Sequence, residues 1–259
     1  MSIRPVRQSV RPSLVFLAFV AATVIGAGIA WAMGSDYKPL AFIAVFVFVI
    51  AGWVVSLSLH EFAHAFTAWR FGDHEVPMRG YLTLNPFKYA NPVLSIVLPA
   101  VVILIGGIGL PGGAVWVRTS FMTKWQKSLV SLSGPMTNVV AAVVLLGVTT
   151  LFYDHHHVVF WAGVAFMGFL QMSAAVLNLL PVPGLDGYSV LEPHLSPETQ
   201  RALQPAKQWA FFIVLLLFIG TPLNQYFWSF IAWLVEASGI PDGLVGTGFR
   251  LTRFWSAWV

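Results

Sequence analysis

The sequence contains no cysteine in its 259 residues, which excludes a disulfide, a thiolate nucleophile and a cysteine-ligated metal. Any metal must therefore be held by histidine, aspartate or glutamate. Charged residues are also scarce, since they make up 9% of the chain, whereas an average soluble domain has about 25%. So few charges could not cover the surface of a soluble fold. This excludes an ordinary cytosolic enzyme, a disordered protein and a nucleic-acid binder.

Apolar residues make up 58% of the chain and predict an all-α polytopic membrane protein in contact with a lipid bilayer. Apolar runs of spanning length cover Leu14–Met33, Leu40–Phe71, 128–152, 158–180 and, with a break at Thr221-Pro222, 207–235. The last run is either one kinked span or two half-spans. We therefore expect about five to six transmembrane helices. They form one membrane-embedded domain over 1–259, with its motif-bearing core over 40–195.

The first apolar run begins like a signal peptide, because arginines precede it and Ala30-Trp31-Ala32 is similar to a cleavage site. Its length of about twenty residues exceeds the roughly 7–15 residues of a signal-peptide core, which favours an uncleaved span. Lysine and arginine concentrate in loops that stay in the cytoplasm, so the basic N-terminus is predicted to be cytoplasmic. Short loops and a charge-poor, cysteine-free composition favour a bacterial inner membrane.

The run 92–111 is long enough to span, but basic residues flank it on both sides, with Lys88 before it and Arg118 after it. The positive-inside rule places both flanks in the cytoplasm. Because Pro99 interrupts the run near its middle, we predict a re-entrant or hairpin-like element rather than a crossing. The preceding connector, 72–91, is predicted to be irregular and to contain short strands.

A catalytic motif, His60-Glu61-Phe62-Ala63-His64, lies near the end of the second apolar run. On a helix, positions four residues apart share one face, so both imidazoles can reach one zinc ion. The intervening Glu61 can then act as a general base on water. Ionisable groups within a membrane helix are costly and are retained mainly for function. The alternative is that these side chains pair with one another in a helix bundle, or lie in water beyond the helix end.

Two histidines leave a zinc ion short of a third protein ligand. The run 158–180 travels in the same direction as the motif-bearing helix, and prolines stop it shortly before Asp186-Gly187. The carboxylate of Asp186 would then lie level with the two histidines and complete the ligand set. The alternative is a plain turn, for which Asp-Gly is a common pair.

The HExxH motif together with Asn178-Leu-Leu-Pro-Val-Pro-Gly-Leu-Asp186-Gly resembles the site-2 protease family of intramembrane zinc metalloproteases. Gly134-Pro135-Met-Thr-Asn138 is similar to a third element of that family. The resemblance covers about residues 50–195 and indicates the compact form, without a PDZ or CBS domain. In the connector of compact members we would expect histidine and aspartate where this chain has Tyr89 and Asn91, so these two residues receive no catalytic role.

The resemblance implies a metalloendopeptidase with one Zn²⁺ per chain, held by His60, His64 and Asp186. Glu61 would be the general base, which then passes a proton to the leaving amine. Asn138 would hold the substrate backbone or the oxyanion, and Asn178 would brace the loop that presents Asp186. The implied substrate is a single-span membrane protein, cleaved near the cytoplasmic face in regulated intramembrane proteolysis.

Three other functions could use a similar motif. A divalent-metal transporter would need a further ligand-rich membrane helix, and the predicted spans hold no other histidine. A prenyl-protein protease would be expected to use histidine or glutamate as its third ligand, rather than Asp186. An inactive protease-like scaffold would have lost catalytic groups, all of which are present here. The histidines His155–His157 are predicted to form a solvated turn on the outer side.

Overall fold

The computed structural model describes residues 10–89, 115–207, 209, 212–214 and 222–257, and this part of the chain is helical with no β-strand. The re-entrant element predicted over 92–111 lies outside the described residues. The α-helices are α1 (Leu14–Ala32), α2 (Pro39–Arg70), α3 (Lys124–Phe152), α4 (Val158–Asn178), α5 (Asp186–Leu191), α6 (Pro197–Lys207), α7 (Leu223–Ala237) and α8 (Leu244–Thr252). Short 3-10 turns occur at Tyr81–Thr83, Pro86–Lys88, His155–His157, Glu192–His194 and Phe254–Ala257.

Four of these helices, α1 to α4, are long and apolar enough to cross a membrane. The prediction of an all-α membrane protein is therefore confirmed. Helix α7 has 15 residues, fewer than the roughly 20 that a transmembrane helix needs. The apolar run that it ends is only partly described, so the predicted total of five to six spans is neither reached nor contradicted within the described residues.

Local sequence explains where the spanning helices begin. The Ser13 hydroxyl caps α1 by accepting a hydrogen bond from the Phe16 amide, 3.1 Å away. Helix α3 begins at Lys124, four residues before the predicted start of its apolar run at 128. It does so because Thr123 and Gln126 form a reciprocal capping box that satisfies two otherwise unpaired amides.

Helix α4 lies at the centre of the bundle, since 78% of its apolar window is buried against 17% for α1. It packs against α2, α3 and α8. Glycine permits the closest of these approaches, because a Cβ atom at Gly248 of α8 would overlap the carbonyl of Ala162. The central core includes Phe48 and Trp53 of α2 and Leu170 of α4.

The connector after α2 folds as turns and 3-10 helices over residues 72–89, so the predicted short strands are absent from this described part. Gly80 (φ 76°) and Leu84 (φ 56°) both adopt left-handed backbone conformations, which interrupt an extended strand. The buried Asp73 carboxylate accepts a hydrogen bond of 2.6 Å from the Arg118 amide, so it ties the start of the connector to the segment that leads to α3.

The segment after α4 contains two short helices, α5 and α6. Asp186-Gly187 is not the plain turn considered as an alternative, because Asp186 is the first residue of α5. Gly187 is required for close approach, since a Cβ atom there would lie 2.6 Å from the Leu180 carbonyl oxygen. The start of α5 therefore lies close to the residues that follow α4, and α5 packs against α3.

Candidate metal centre

The last turns of α2 and the first residue of α5 bring His60, His64 and Asp186 together. The two Nε2 atoms of the buried histidines are 3.1 Å apart. One carboxylate oxygen of Asp186 lies 3.2 Å from His60 Nε2 and the other lies 3.4 Å from His64 Nε2. All three ligand atoms therefore face one common point.

These distances fit a tetrahedral zinc site. With metal–ligand bonds of about 2.0–2.2 Å, neighbouring ligand atoms of a tetrahedron are separated by about 3.3–3.6 Å. The two Nε2 atoms are 3.1 Å apart, and each has its own Asp186 oxygen at a similar distance, 3.2 Å from His60 and 3.4 Å from His64. Two imidazoles and one carboxylate also match the donor set of catalytic zinc sites, which keep a fourth position open.

Glycine at position 134 of α3 keeps space open beside the histidines. A Cβ atom there would lie 2.6 Å from His60 Nε2 and would overlap the ring of His64. Atoms that are not bonded to each other do not approach so closely. The absence of a side chain at Gly134 is therefore a requirement of this site.

Hydrogen bonds to the other ring nitrogens orient both histidines. His64 Nδ1 lies 2.7 Å from the Val130 carbonyl oxygen, which can only accept, so Nδ1 carries the proton. His60 Nδ1 donates in the same way to Asn138 Oδ1, 2.6 Å away, because the Asn138 amide nitrogen is directed to Gln171. Each Nε2 then keeps its lone pair for a metal ion.

A buried polar network supports His60 from behind. Asn138 Nδ2 donates to Gln171 Oε1 at 2.7 Å, and the Ser56 hydroxyl donates to the same oxygen at 2.5 Å. Asn138 therefore contacts His60, and both ends of its amide are already engaged. This favours a positioning role over the predicted contact with the substrate backbone or oxyanion.

Replacing Gln171 with leucine is expected to weaken metal binding about 10- to 100-fold, which is the usual cost of losing a group that orients a ligand. The change leaves Asn138 Nδ2 without its 2.7 Å acceptor, so Asn138 is no longer fixed against His60. The measurement is zinc retention by the purified protein over a series of chelator concentrations. Ser173→Ala is the matched control, since Ser173 is equally buried on α4 but bonds only to the Phe169 carbonyl. Equal zinc retention by the two variants would contradict the positioning role.

The two acidic groups of the site differ in their surroundings. The Asp186 side chain is 24% exposed, and it must be ionised to act as a metal ligand. Glu61 is buried, and its Oε2 accepts a hydrogen bond of 3.1 Å from the Val115 amide, in the segment that leads to α3.

Asn178, at the last turn of α4, is buried next to the histidines but makes no side-chain hydrogen bond to another residue that the structure describes. It lines a cavity together with His60 and Asn138. The loop before Asp186 is held instead by backbone contacts, including a 2.9 Å bond from the Leu185 amide to the Val182 carbonyl. A bracing role for the Asn178 side chain stays a prediction.

The histidines at the other end of α4 belong to a separate cluster. The Trp161 indole, together with His157, holds the pKa of the Asp154 carboxyl at about 2.

Within the described residues, His60, His64 and Asp186 are the one group of three whose atoms could hold a metal ion. This part of the chain therefore has no second group of three such ligands.

Of the two positions at which the connector departs from the compact pattern, Tyr89 is described by the structure. The Tyr89 hydroxyl donates to the Tyr81 carbonyl at 3.1 Å, and the side chain is buried among apolar residues. Asn91 lies outside the described residues. Sequence reasoning missed Gly134 as a steric requirement, together with Ser56 and Gln171. Ser56 and Gln171 could have been found from sequence, because polar side chains in a membrane span usually form hydrogen bonds with a neighbouring helix.

Comparison with known proteins gives several full-length matches. The chain is 60% identical over 258 residues to the zinc metalloprotease Rip2 of Mycolicibacterium smegmatis, with 100% of both chains covered. It is 57% identical over 252 residues to Rip2 of Mycobacterium tuberculosis, with 97% of each chain covered. The identity to the zinc metalloprotease YwhC of Bacillus subtilis is 32% over 199 residues, covering 73% of this chain and 86% of that one. No family model and no solved structure matches the chain.

Proposed function

Because this chain belongs to the family of zinc metalloproteases that includes Rip2 and YwhC, we propose that it is an intramembrane protease of the site-2 type. It hydrolyses a peptide bond of single-span membrane proteins near the cytoplasmic face. The observation that carries the proposal is the convergence of His60, His64 and Asp186 at the end of helices apolar enough to span a membrane. A soluble metalloprotease has no need to place its metal ligands there.

The depth of the site supports cleavage within the membrane. His60 and His64 precede Arg70, the last residue of α2, by ten and six residues, or about 15 and 9 Å along a helix axis. The Ser13 amide bonds to the Thr83 carbonyl at 2.8 Å, so the N-terminal end of α1 and the connector lie at this same end of the bundle. Basic residues concentrate there, which favours a cytoplasmic orientation of this end and of the N-terminus in a bacterial inner membrane.

Each site residue has a role in the proposed reaction. His60, His64 and Asp186 hold zinc, which supplies Lewis acidity at the scissile carbonyl when it is bound. Glu61 accepts a proton from the attacking water and delivers it to the nitrogen of the leaving amine. Its burial excludes bulk water, which strengthens the interaction of its charge with the reacting groups.

The hydrogen bond that the Glu61 carboxylate accepts indicates how a substrate would bind. The Val115 amide that bonds to this carboxylate belongs to a segment without regular secondary structure, 115–119. A helical substrate hides its peptide groups in internal hydrogen bonds, so it must unwind before cleavage. An unwound segment could pair with exposed backbone groups of the connector, as in other cases of strand addition.

Replacing Glu61 with glutamine tests the proposed function. Cleavage of a single-span reporter in detergent or in membranes should fall about 10²- to 10⁴-fold, because the amide keeps the size of the side chain but cannot take a proton. Zinc content should stay at the wild-type level, since Glu61 is not among the three converging ligand atoms. The exposed α7 residue Glu236 provides the control Glu236→Gln. Undiminished cleavage by Glu61→Gln, or no cleavage of any reporter by the wild type, would refute the proposal.

A further inference from the structure

A cavity adjoins His60 on the side of the N-terminal half of α2. Trp53, Leu57 and Ala174 form its apolar wall. Its polar wall consists of His60, Asn138, Asn178 and Ser56, whose hydroxyl donates to Gln171. It encloses about 20 Å³, which is enough for one water molecule. The cavity therefore has room for a methyl-sized group beside the candidate metal site, and not for a larger ligand.

The polar wall indicates what kind of group fits. Both ends of the Asn138 amide are already hydrogen-bonded, the oxygen to His60 and the nitrogen to Gln171. Because these groups are already paired, they cannot satisfy a polar group that enters. A buried polar group without a partner is costly, so the cavity favours an apolar occupant. The amide of Asn178, which has no hydrogen-bond partner among the described residues, is available to the peptide group that carries that occupant.

The apolar wall sets the size limit. Trp53 is the largest side chain of the cavity and is 4% exposed. Its indole Nε1 is buried and has no hydrogen-bond partner, so its contribution here is volume rather than a specific polar contact. Ala174 faces the same space with a single methyl group. A bulkier occupant would have to displace packed side chains, which is unfavourable in a close-packed interior.

We propose that this cavity is a specificity pocket, which receives the side chain of the substrate residue next to the scissile bond and selects a small apolar one, such as alanine. The inference rests on the proposed proteolytic function and adds the substrate class. Trp53 is a specificity-determining residue, and its ring closes the far end of the pocket to larger aliphatic or aromatic side chains.

The test uses a single-span reporter that the wild type cleaves and Glu61→Gln does not. Each residue flanking the cut is varied among glycine, alanine, leucine and phenylalanine, and the relative kcat/KM is measured with the full-length protein. At one of the two positions, the wild type should prefer alanine to leucine. In Trp53→Phe this preference should fall about tenfold or more, because one methylene group in an apolar pocket changes specificity by about 10- to 200-fold.

A matched control separates the pocket from general packing. Trp161 on α4 is also 4% exposed, but its indole bonds to Asp154 at the opposite end of the bundle. Trp161→Phe should leave the alanine-to-leucine ratio unchanged. Ala174→Val adds volume to the same wall, so it should shift the preference from alanine towards glycine, and it keeps the test decisive if Trp53→Phe does not accumulate.

The outcomes distinguish this inference from the proposed function. A wild type that cleaves no reporter overturns both. A wild type that cleaves, with Trp53→Phe and Ala174→Val showing the wild-type ratios at both flanking positions, overturns the specificity pocket alone. Opposite shifts in the two variants, with no shift in Trp161→Phe, support it.

Discussion

Replacing Gly134 with alanine should give a folded protein that holds no zinc and cleaves its reporter at the background rate. The added methyl group would lie 2.6 Å from His60 Nε2 and would overlap the His64 ring. Both imidazoles must therefore move, and their Nε2 atoms then no longer face the same point. Neither can move freely, because each Nδ1 is hydrogen-bonded to α3, through Asn138 and the Val130 carbonyl. The expected change is from one zinc per chain to none, measured by elemental analysis of the purified protein.

Gly147→Ala, on the same helix, is the matched control for this experiment. Nothing lies within 4 Å of a Cβ atom at Gly147, so the substitution should leave zinc content and cleavage unchanged. Alanine is more favourable than glycine inside a helix by about 1 kcal/mol, and both variants should therefore keep α3 intact. Full zinc content in Gly134→Ala would show that the histidines do not bind the metal in the arrangement described.

The three candidate metal ligands could be predicted from sequence for two different reasons. His60 and His64 follow from helical spacing alone, because residues four apart share a face. Asp186 follows from topology, since two helices that run in the same direction end at the same side of the membrane. The structure brings its carboxylate within 3.2 Å of His60 Nε2, as this argument requires. A local motif and the order of the spans were thus sufficient to predict the candidate ligands.

The residues that support the ligands could not be predicted in this way. Gly134 and Gln171 matter because of how α3 and α4 are rotated about their axes. A helix surrounded by lipid and other apolar helices is apolar on nearly all sides, so its sequence carries little information about which face meets a neighbour. The position of Gly134 beside both imidazoles is therefore visible only after the helices are packed.

The residues at which the helices begin show a second reason why the fold could not be predicted completely from the sequence. The apolar run placed the start of α3 at 128, whereas the helix begins at Lys124. Hydropathy measures contact with lipid, and a helix can extend beyond the bilayer when its end is capped. The Thr123-x-x-Gln126 pattern is a capping box that indicates this start directly from sequence. Nothing in the sequence indicated the left-handed conformation of Leu84 in the connector, because leucine rarely adopts that conformation.

Replacing Asp186 with asparagine is expected to lower zinc affinity by more than about 100-fold, a larger loss than that caused by removing an orienting group. Asparagine keeps the shape of the side chain but has no negative charge. The divalent cation would then be bound in a largely buried site by two neutral imidazoles, without an anionic ligand to balance its charge. The carboxylate faces both Nε2 atoms, at 3.2 and 3.4 Å, so no other described acidic group can take its place in this group of ligands. Zinc is measured after dialysis against a chelator, and reporter cleavage is measured before and after zinc is added back.

Asp154→Asn provides a matched control for the loss of charge. Asp154 also contacts a histidine, with His157 Nδ1 at 2.9 Å, but it lies at the opposite end of α4. This variant should retain zinc and should recover cleavage after chelation when zinc is restored, as the wild type should. Asp186→Asn should recover neither zinc nor cleavage at the zinc concentration that restores the wild type. Recovery equal to that of Asp154→Asn would remove Asp186 from the ligand set, and the metal would then need a third ligand from outside the described residues.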